Sequence, residues 1–352
     1  MAPGQLDSDV IVAGGGPAGA ATAIACVQRG LRVHLFERAA LSGHRPGETL
    51  HPGVEPLLRQ LGLADRFQAT VGARHSGIWL CWGGRRQFQP YGADQDGEWR
   101  GFQVSRTAFD QLLLNYASEL GVKVRQPCAI DRVQLGEENE VRVLTGAGPF
   151  SARIIVDATG RASWLSRRLG IARGARSPRL IARYGYAAGV CSGLDEGPEL
   201  VGDAKGWVWT AMVQLGLYHW TCVTADGSRP HPSWVPANLR SLTRVGRSSG
   251  ADVTWRMAAR TAHPGWFIVG DAACLLDPLS SKGVLRAMMS GIAAGHLIAN
   301  VLDGRIAAAA AAKVYQHWLT EWFAREAMRL AAFYRQLGIA GFGCRCRHRG
   351  QI

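Results

Sequence analysis

Lysine is scarce in this chain of 352 residues: only four of its 40 basic residues are lysines, at positions 123, 205, 282 and 313, and the rest are arginines. Acidic residues are in deficit, 27 against 40, which leaves a formal net charge of +13. Charged residues make up 19% of the sequence and hydrophobic ones 47%, which excludes wholesale disorder. None of the eight cysteines forms a C-x-x-C pair, and Cys344-x-Cys346 has no second pair to complete a zinc site. No basic stretch precedes an apolar run at the N-terminus, so no signal peptide is expected. The apolar run from Ile11 to Val27 is broken by four glycines and a proline, which excludes a membrane span there. The arginines are scattered and no nucleic-acid-binding module is visible. These absences give the expectation of a cytoplasmic protein that binds neither membrane nor nucleic acid. An arginine-rich surface suits an anionic cofactor or an acidic partner. It is also what an arginine-rich proteome leaves behind.

What is present starts at the N-terminus. Val10 to Ala13 is a short β-branched run, Gly14-x-Gly16-Pro17-Ala18-Gly19 follows, Ala20 to Gln28 favours a helix, and residues 32–36 read as a second strand. Such a β-turn-α-β unit argues for a parallel sheet. In that spacing Gly14 permits the tight turn, Gly16 lets the backbone approach a pyrophosphate, and Gly19 allows close packing of helix on strand. The helix then points free N–H groups and a positive dipole at the phosphates. Glu37, with Arg38 beside it, ends the second strand, where a carboxylate suits the adenosine ribose hydroxyls. The fingerprint alone leaves nicotinamide and flavin both open.

Two later segments decide between them. One is Asp157-Ala158-Thr159-Gly160-Arg161 at a strand end. The other is Gly270-Asp271-Ala272-Ala273, then Asp277-Pro278, then Lys282-Gly283-Val284 opening a helix. With these the sequence resembles the large family of FAD enzymes that includes p-hydroxybenzoate hydroxylase, geranylgeranyl reductases and flavin-dependent tryptophan halogenases. The resemblance implies that Asp271 binds the flavin ribityl chain and that Pro278 to Val284, with the charge of Lys282, pass beside the flavin ring. It implies that Arg106, opening a helix after a strand, and Arg45, in Arg45-Pro46-Gly47-Glu48, hold phosphate or ribityl. For either arginine the alternative is a solvated surface charge.

Within that family, Gly47-Glu48-Thr49-Leu50, Trp79-x-x-Trp82-Gly83-Gly84, Gly206-Trp207-Val208-Trp209 and Asp277-Pro278-Leu279-Ser280-Ser281 look like the flavoprotein maturases of tryptophylquinone enzymes. That likeness implies hydroxylation of an aromatic ring through a flavin hydroperoxide. The ring would be a tryptophan in a small acidic partner polypeptide, with NAD(P)H or another electron donor as reductant. Halogenases carry Trp-x-Trp-x-Ile-Pro and an active-site lysine soon after the first flavin-binding segment. Here Trp207-x-Trp209 is followed by Thr210, and no lysine precedes Lys123. Hydroxylation is therefore expected over halogenation. An oxidoreductase or halogenase of a small aromatic metabolite, and a non-catalytic flavin-binding assembly factor, stand as alternatives. Glu48 is the catalytic candidate, read either as an acid/base group or as a turn carboxylate. His51 and His219 are further acid/base candidates, with His219 read as structural. Trp207, Trp209, Tyr218 and Trp220 have strand parity and are expected to share one face.

The expected fold is α/β, with a Rossmann-like FAD-binding domain of the glutathione-reductase type interleaved with a β-rich substrate lobe and C-terminal helices. The FAD-binding domain is drawn from residues 1–75, 100–175 and 260–305, the lobe from 76–99 and 176–259, and the helical segment from 306–352. Helices are expected over 53–70, 107–120, 237–245, 284–301 and 307–337, and a hairpin around Gly83-Gly84.

Overall fold

The computed structural model describes residues 6–40, 46–136, 140–194, 196–225, 228, 231 and 234–342. Four short apolar runs, Val10–Ala13, Val33–Phe36, Ile154–Asp157 and Trp266–Ile268, are buried along almost their whole length. Continuous burial on both faces is what a parallel sheet demands. With Lys123–Arg125 they pair in parallel in the order 123–125, 33–36, 10–13, 154–157, 266–268, and Ala262–His263 closes one edge antiparallel. The three segments that carry the fingerprint and the two distant motifs thus end side by side at one edge of a single sheet.

Among the described residues seven α-helices cover the sheets: α1 (Pro17–Val27), α2 (Val54–Leu61), α3 (Ala64–Phe67), α4 (Arg106–Glu119), α5 (Trp164–Arg168), α6 (Gly283–Leu302) and α7 (Ala308–Gln336). Proline at the first position of α1 and a run of alanines explain why it forms. In α4 the Ser105 hydroxyl accepts the Ala108 N–H at 3.4 Å as an N-cap. The helix expected over 53–70 is divided, because Gly62 adopts φ +82 and stops α2.

The second large sheet has seven strands in the order Thr243–Asp252, Ile181–Ala188, Leu217–Thr224, Gly206–Gln214, Glu199–Asp203, Gly77–Trp82, Arg85–Pro90. Gly83 and Gly84, both at positive φ, turn the last hairpin. The helix expected near 237–245 is only a single 3-10 turn, Ala237–Leu239, followed by the edge strand Thr243–Asp252. That segment has no apolar stripe to bury as a helix, and its backbone gains a ladder against Ile181–Ala188.

The aromatic run is corrected as well. Trp207 lies opposite Val223 and Trp209 opposite Thr221, so His219, Thr221 and Val223 share the face of the two tryptophans. Tyr218 and Trp220 point the other way, into a separate small core with Ala187, Leu194 and Leu239. Parity within a strand was right; the register between strands set the faces.

α6 is apolar and long enough to cross a membrane by length and composition, but more than half of it is buried in the protein. It lies against α1 with almost no gap. A Cβ added at Gly291 would meet the Ala18 carbonyl oxygen at 2.3 Å, and one at Gly295 would meet the Ala25 Cβ at 2.8 Å. Gly291→Ala is therefore expected to push the helices apart and cost about 1–3 kcal/mol. Thermal denaturation checks this; an unchanged melting temperature would mean that the contact is not tight.

Candidate active site

The glycine loop shows which of its sides is occupied by protein and which is left free. Gly14 has φ +110, and a Cβ there would lie 2.4 Å from the Ala158 carbonyl oxygen. One on Gly19 would lie 1.9 Å from the Gly14 oxygen. A Cβ on Gly16 meets nothing within 4 Å. Gly16 is thus bare toward a cleft, not toward protein, and it opens the N-terminus of α1, whose first turn carries no acidic side chain. Glu37 braces the loop: its carboxylate accepts the Gly15 N–H at 2.7 Å and the Ala39 N–H at 3.0 Å. Arg38 is exposed, and Arg45 lies outside the described residues.

The cleft has a volume of about 340 Å³ and is half-enclosed. Gly16, Pro17, Ala18, Glu48, Arg106, Gly160, Asp271, Pro278, Gly283 and Val284 all line it, drawn from five distant stretches of sequence. Arg106 is held in place by Asp110, by a fork of hydrogen bonds at 3.1–3.2 Å, and it donates to the Pro46 carbonyl at 2.8 Å. Asp271 is clamped from two sides. The Arg286 guanidinium, 4% exposed, hydrogen-bonds its carboxylate, and Arg173 donates to its carbonyl at 2.7 Å. Gly270 gives its N–H to the Ser290 hydroxyl of α6 at 2.9 Å.

Two expected ligand residues do other work. Thr159 donates its hydroxyl to buried Asp157 at 2.7 Å and accepts the Trp164 N–H at 3.0 Å, so its side chain builds the turn and is not on the cleft wall. Lys282 is N-cap of α6, but its ammonium reaches Glu326 of α7 at 3.1 Å and does not line the cleft. A partly buried lysine gains more from a buried carboxylate than from standing unpaired at a cleft. The expectation that its charge faces the cofactor is corrected on that ground.

Trp207, Trp209, Tyr184, His219 and Thr221 form an aromatic compartment wall of the same cleft. Glu48, 2% exposed, sits in this wall. The Tyr186 hydroxyl hydrogen-bonds its Oε1, while Oε2 is 3.6 Å from His219 Nδ1 and has no hydrogen-bond partner. A carboxylate oxygen buried without a donor is costly, and suits a site where a ligand supplies one. His219, read from sequence as structural, therefore belongs to the cleft. His51 does not line it; its Nδ1 accepts the Gly53 N–H at 3.0 Å, and burial beside Lys282 pushes it down to about 4.

The residues fit a dinucleotide flavin: a bare glycine backbone at a helix N-terminus, a clamped aspartate, an arginine at the rim, and a second helix N-terminus at Gly283 beside an aromatic compartment. Comparison with known proteins agrees. A model described as FAD binding domain matches residues 7–184, and one described as tryptophan halogenase matches residues 98–335. This chain belongs to the tryptophan halogenase family of FAD-binding proteins.

A pyrrole-carbonyl carrier-protein chlorinase of Pseudomonas fluorescens is 31% identical over 83% of this chain and 76% of its own length. A tryptophan 2-halogenase of Chondromyces crocatus is 29% identical over 94% of this chain and 69% of its own. Among solved structures, the myxobacterial chondrochloren halogenase superposes with a TM-score of 0.77 at 25% identity, over 94% of this chain and 81% of that one. Another flavin-dependent halogenase reaches a TM-score of 0.83 at 24% identity, with 65% of that chain covered. The FAD superfamily expected from sequence holds. The nearer likeness to quinone-enzyme maturases finds no support in these matches, which are to halogenases where hydroxylation was expected.

Two outcomes follow from the site. Arg286→Met frees the Asp271 carboxylate, and FAD binding measured by equilibrium dialysis is expected to weaken about tenfold, the loss of one charge-assisted contact. Unchanged binding would show that Asp271 needs no clamp. The second concerns Asp277, wholly buried at the start of the Pro278 turn and raised by burial from 3.8 to about 6. The folded protein holds this proton more tightly than the unfolded chain, so its contribution to stability falls as pH rises from about 4 through about 6, by on the order of 3 kcal/mol. Asp277→Asn removes that slope. The gap in melting temperature between wild type and variant is expected to widen in favour of wild type on acidification from about pH 7 to about pH 5. A gap independent of pH would contradict it.

Proposed function

We propose that this chain is a flavin-dependent halogenase acting on an electron-rich aromatic ring. The observation that carries the reading is the halogenase match across residues 98–335, which spans the Trp207–Trp209 wall and the Gly270–Val284 turn. Bound FAD supplies the oxygen chemistry that oxidises a halide to an electrophile. The chain's own task is to hold the ring, keep water away and accept a proton.

The indoles of Trp207 and Trp209 stack on a flat substrate. As the halogen adds, the ring carbon gives up its hydrogen as a proton, and Glu48 Oε2 is the buried acceptor at that wall. His219, 3.6 Å away, stabilises or relays the charge. Since no lysine precedes Lys123, steering of the halogenating species also falls to this pair. A second Gly-x-Gly-x-x-Gly is absent from the sequence, so electrons are taken from reduced flavin made elsewhere, with NAD(P)H as the ultimate donor. A ring held on an acidic carrier protein is the second reading of the substrate. The net charge of +13 favours it, as does the relative that chlorinates a carrier-bound pyrrole.

The test is to supply the protein with FAD, NADH, a flavin reductase, oxygen and bromide, with indole as probe. A product bearing the bromine isotope doublet supports the reading. Oxygenated indole without bromine, at any halide concentration, overturns it in favour of hydroxylation. Glu48→Gln is expected to lower turnover on the order of 10²-fold with FAD content unchanged.

A further inference from the structure

Asp277, Tyr334, Trp207 and Trp255 meet in one buried cluster that joins three parts of the molecule. Asp277 opens the turn beside the cleft, Tyr334 is on α7, Trp207 is in the compartment wall, and Trp255 follows the edge strand of the large sheet. Asp277 accepts the Leu279 N–H at 2.9 Å and the Trp255 indole N–H. Tyr334 accepts the Trp207 indole N–H at 2.8 Å. All four side chains are buried.

The order of these groups is dictated by their chemistry. An indole only donates and a carboxylate only accepts, whereas a phenol does both. The Tyr334 hydroxyl is thus the acceptor of the buried Trp207 N–H, a relay from α7 to that ring. Without it the N–H has no acceptor, and a buried orphan donor costs enough to make its ring move. The Tyr334 ring itself is fixed independently: it stacks on Phe342 at 4.1 Å and 12°, and meets Trp255 edge-on. Hydroxyl and ring can therefore be separated by one atom's deletion.

We propose that Tyr334, which does not line the cleft, is a positioning residue whose hydroxyl sets the rotation of the Trp207 indole and with it the width of the aromatic compartment. The proposal rests on the reading of that compartment as the substrate's place. α7 then acts on ring selection at a distance, through Trp207.

The test uses the FAD-loaded protein labelled with ¹⁵N at its tryptophan indoles. The resonance lost in Trp207→Phe identifies the Trp207 N–H. In Tyr334→Phe that resonance is expected to shift and to exchange with water about tenfold faster, as for a donor without its acceptor. Indole affinity, measured by calorimetry, is expected to fall about tenfold, with FAD affinity unchanged. The double variant Tyr334→Phe/Trp207→Phe is expected to bind indole no worse than Trp207→Phe alone, because the hydroxyl acts only through that ring. A resonance unchanged in Tyr334→Phe overturns the relay. A freed ring with unchanged indole affinity, or additive losses in the double variant, overturns the positioning role. Wild-type protein that binds FAD but no indole removes the compartment reading and the proposal with it, and leaves the FAD site standing.

Discussion

Everything at the cleft depends on backbones that meet without side chains around Ala18. A Cβ on Gly270 would lie 2.9 Å from the Ala18 Cβ, one on Gly291 2.3 Å from its carbonyl oxygen, and one on Gly19 3.0 Å from the Ala158 Cβ. The first turn of α1 is thus gripped by the Gly-Asp turn, by α6 and by the turn after Asp157. Packed interiors tolerate little added volume. These contacts therefore fix the relative positions of Gly16, Asp271 and Gly283, far apart in sequence, to within a fraction of an ångström. The cleft is the space that remains once those three segments have closed on one another.

On this rigid base the protein places several carboxylates and answers each differently. Asp157 takes two backbone N–H groups and a hydroxyl and serves the turn. Asp277 takes the Leu279 N–H and the Trp255 indole N–H and ties the lobe to the cofactor side. Asp271 has a buried guanidinium beneath it, which itself lies over the Trp322 ring at 5.8 Å. Of the fully buried ones named, Glu48 keeps an oxygen without a hydrogen-bond donor, inside an aromatic wall. Satisfied carboxylates hold the structure; the unsatisfied one marks the candidate place for chemistry.

Much of this was legible in the chain itself. The Gly14–Gly19 spacing, Glu37 and the Gly270-Asp271 motif carry their own physical meaning, because a tight turn, a close approach and an acid at a strand end leave few alternatives. Arg106 stood out as the first residue of a helix. The misreadings have a common origin. Tyr218 and Trp220 were assigned to the wrong face because register between strands is set by tertiary pairing, not by sequence. Lys282 was aimed at the cofactor because its partner, Glu326, is 44 residues away on another helix. Arg286 and Tyr334 gave no local signal, since an arginine or tyrosine on a helix reads as surface or core until its partner is known. The absence of an early lysine and the incomplete Trp-x-Trp motif outweighed the wider pattern, and the halogenase family was passed over for a hydroxylating one.

The central claim is that the bare face of Gly16 is reserved for the cofactor, and one residue tests it most directly. Gly16 has φ −74, which any residue adopts, and a side chain there meets no protein atom within 4 Å. Gly16→Val should therefore melt close to wild type in the absence of FAD. With saturating FAD, wild type gains stability by mass action, and the variant should gain almost none because its side chain fills the space the phosphates need. A variant that FAD stabilises as fully as wild type would contradict the account.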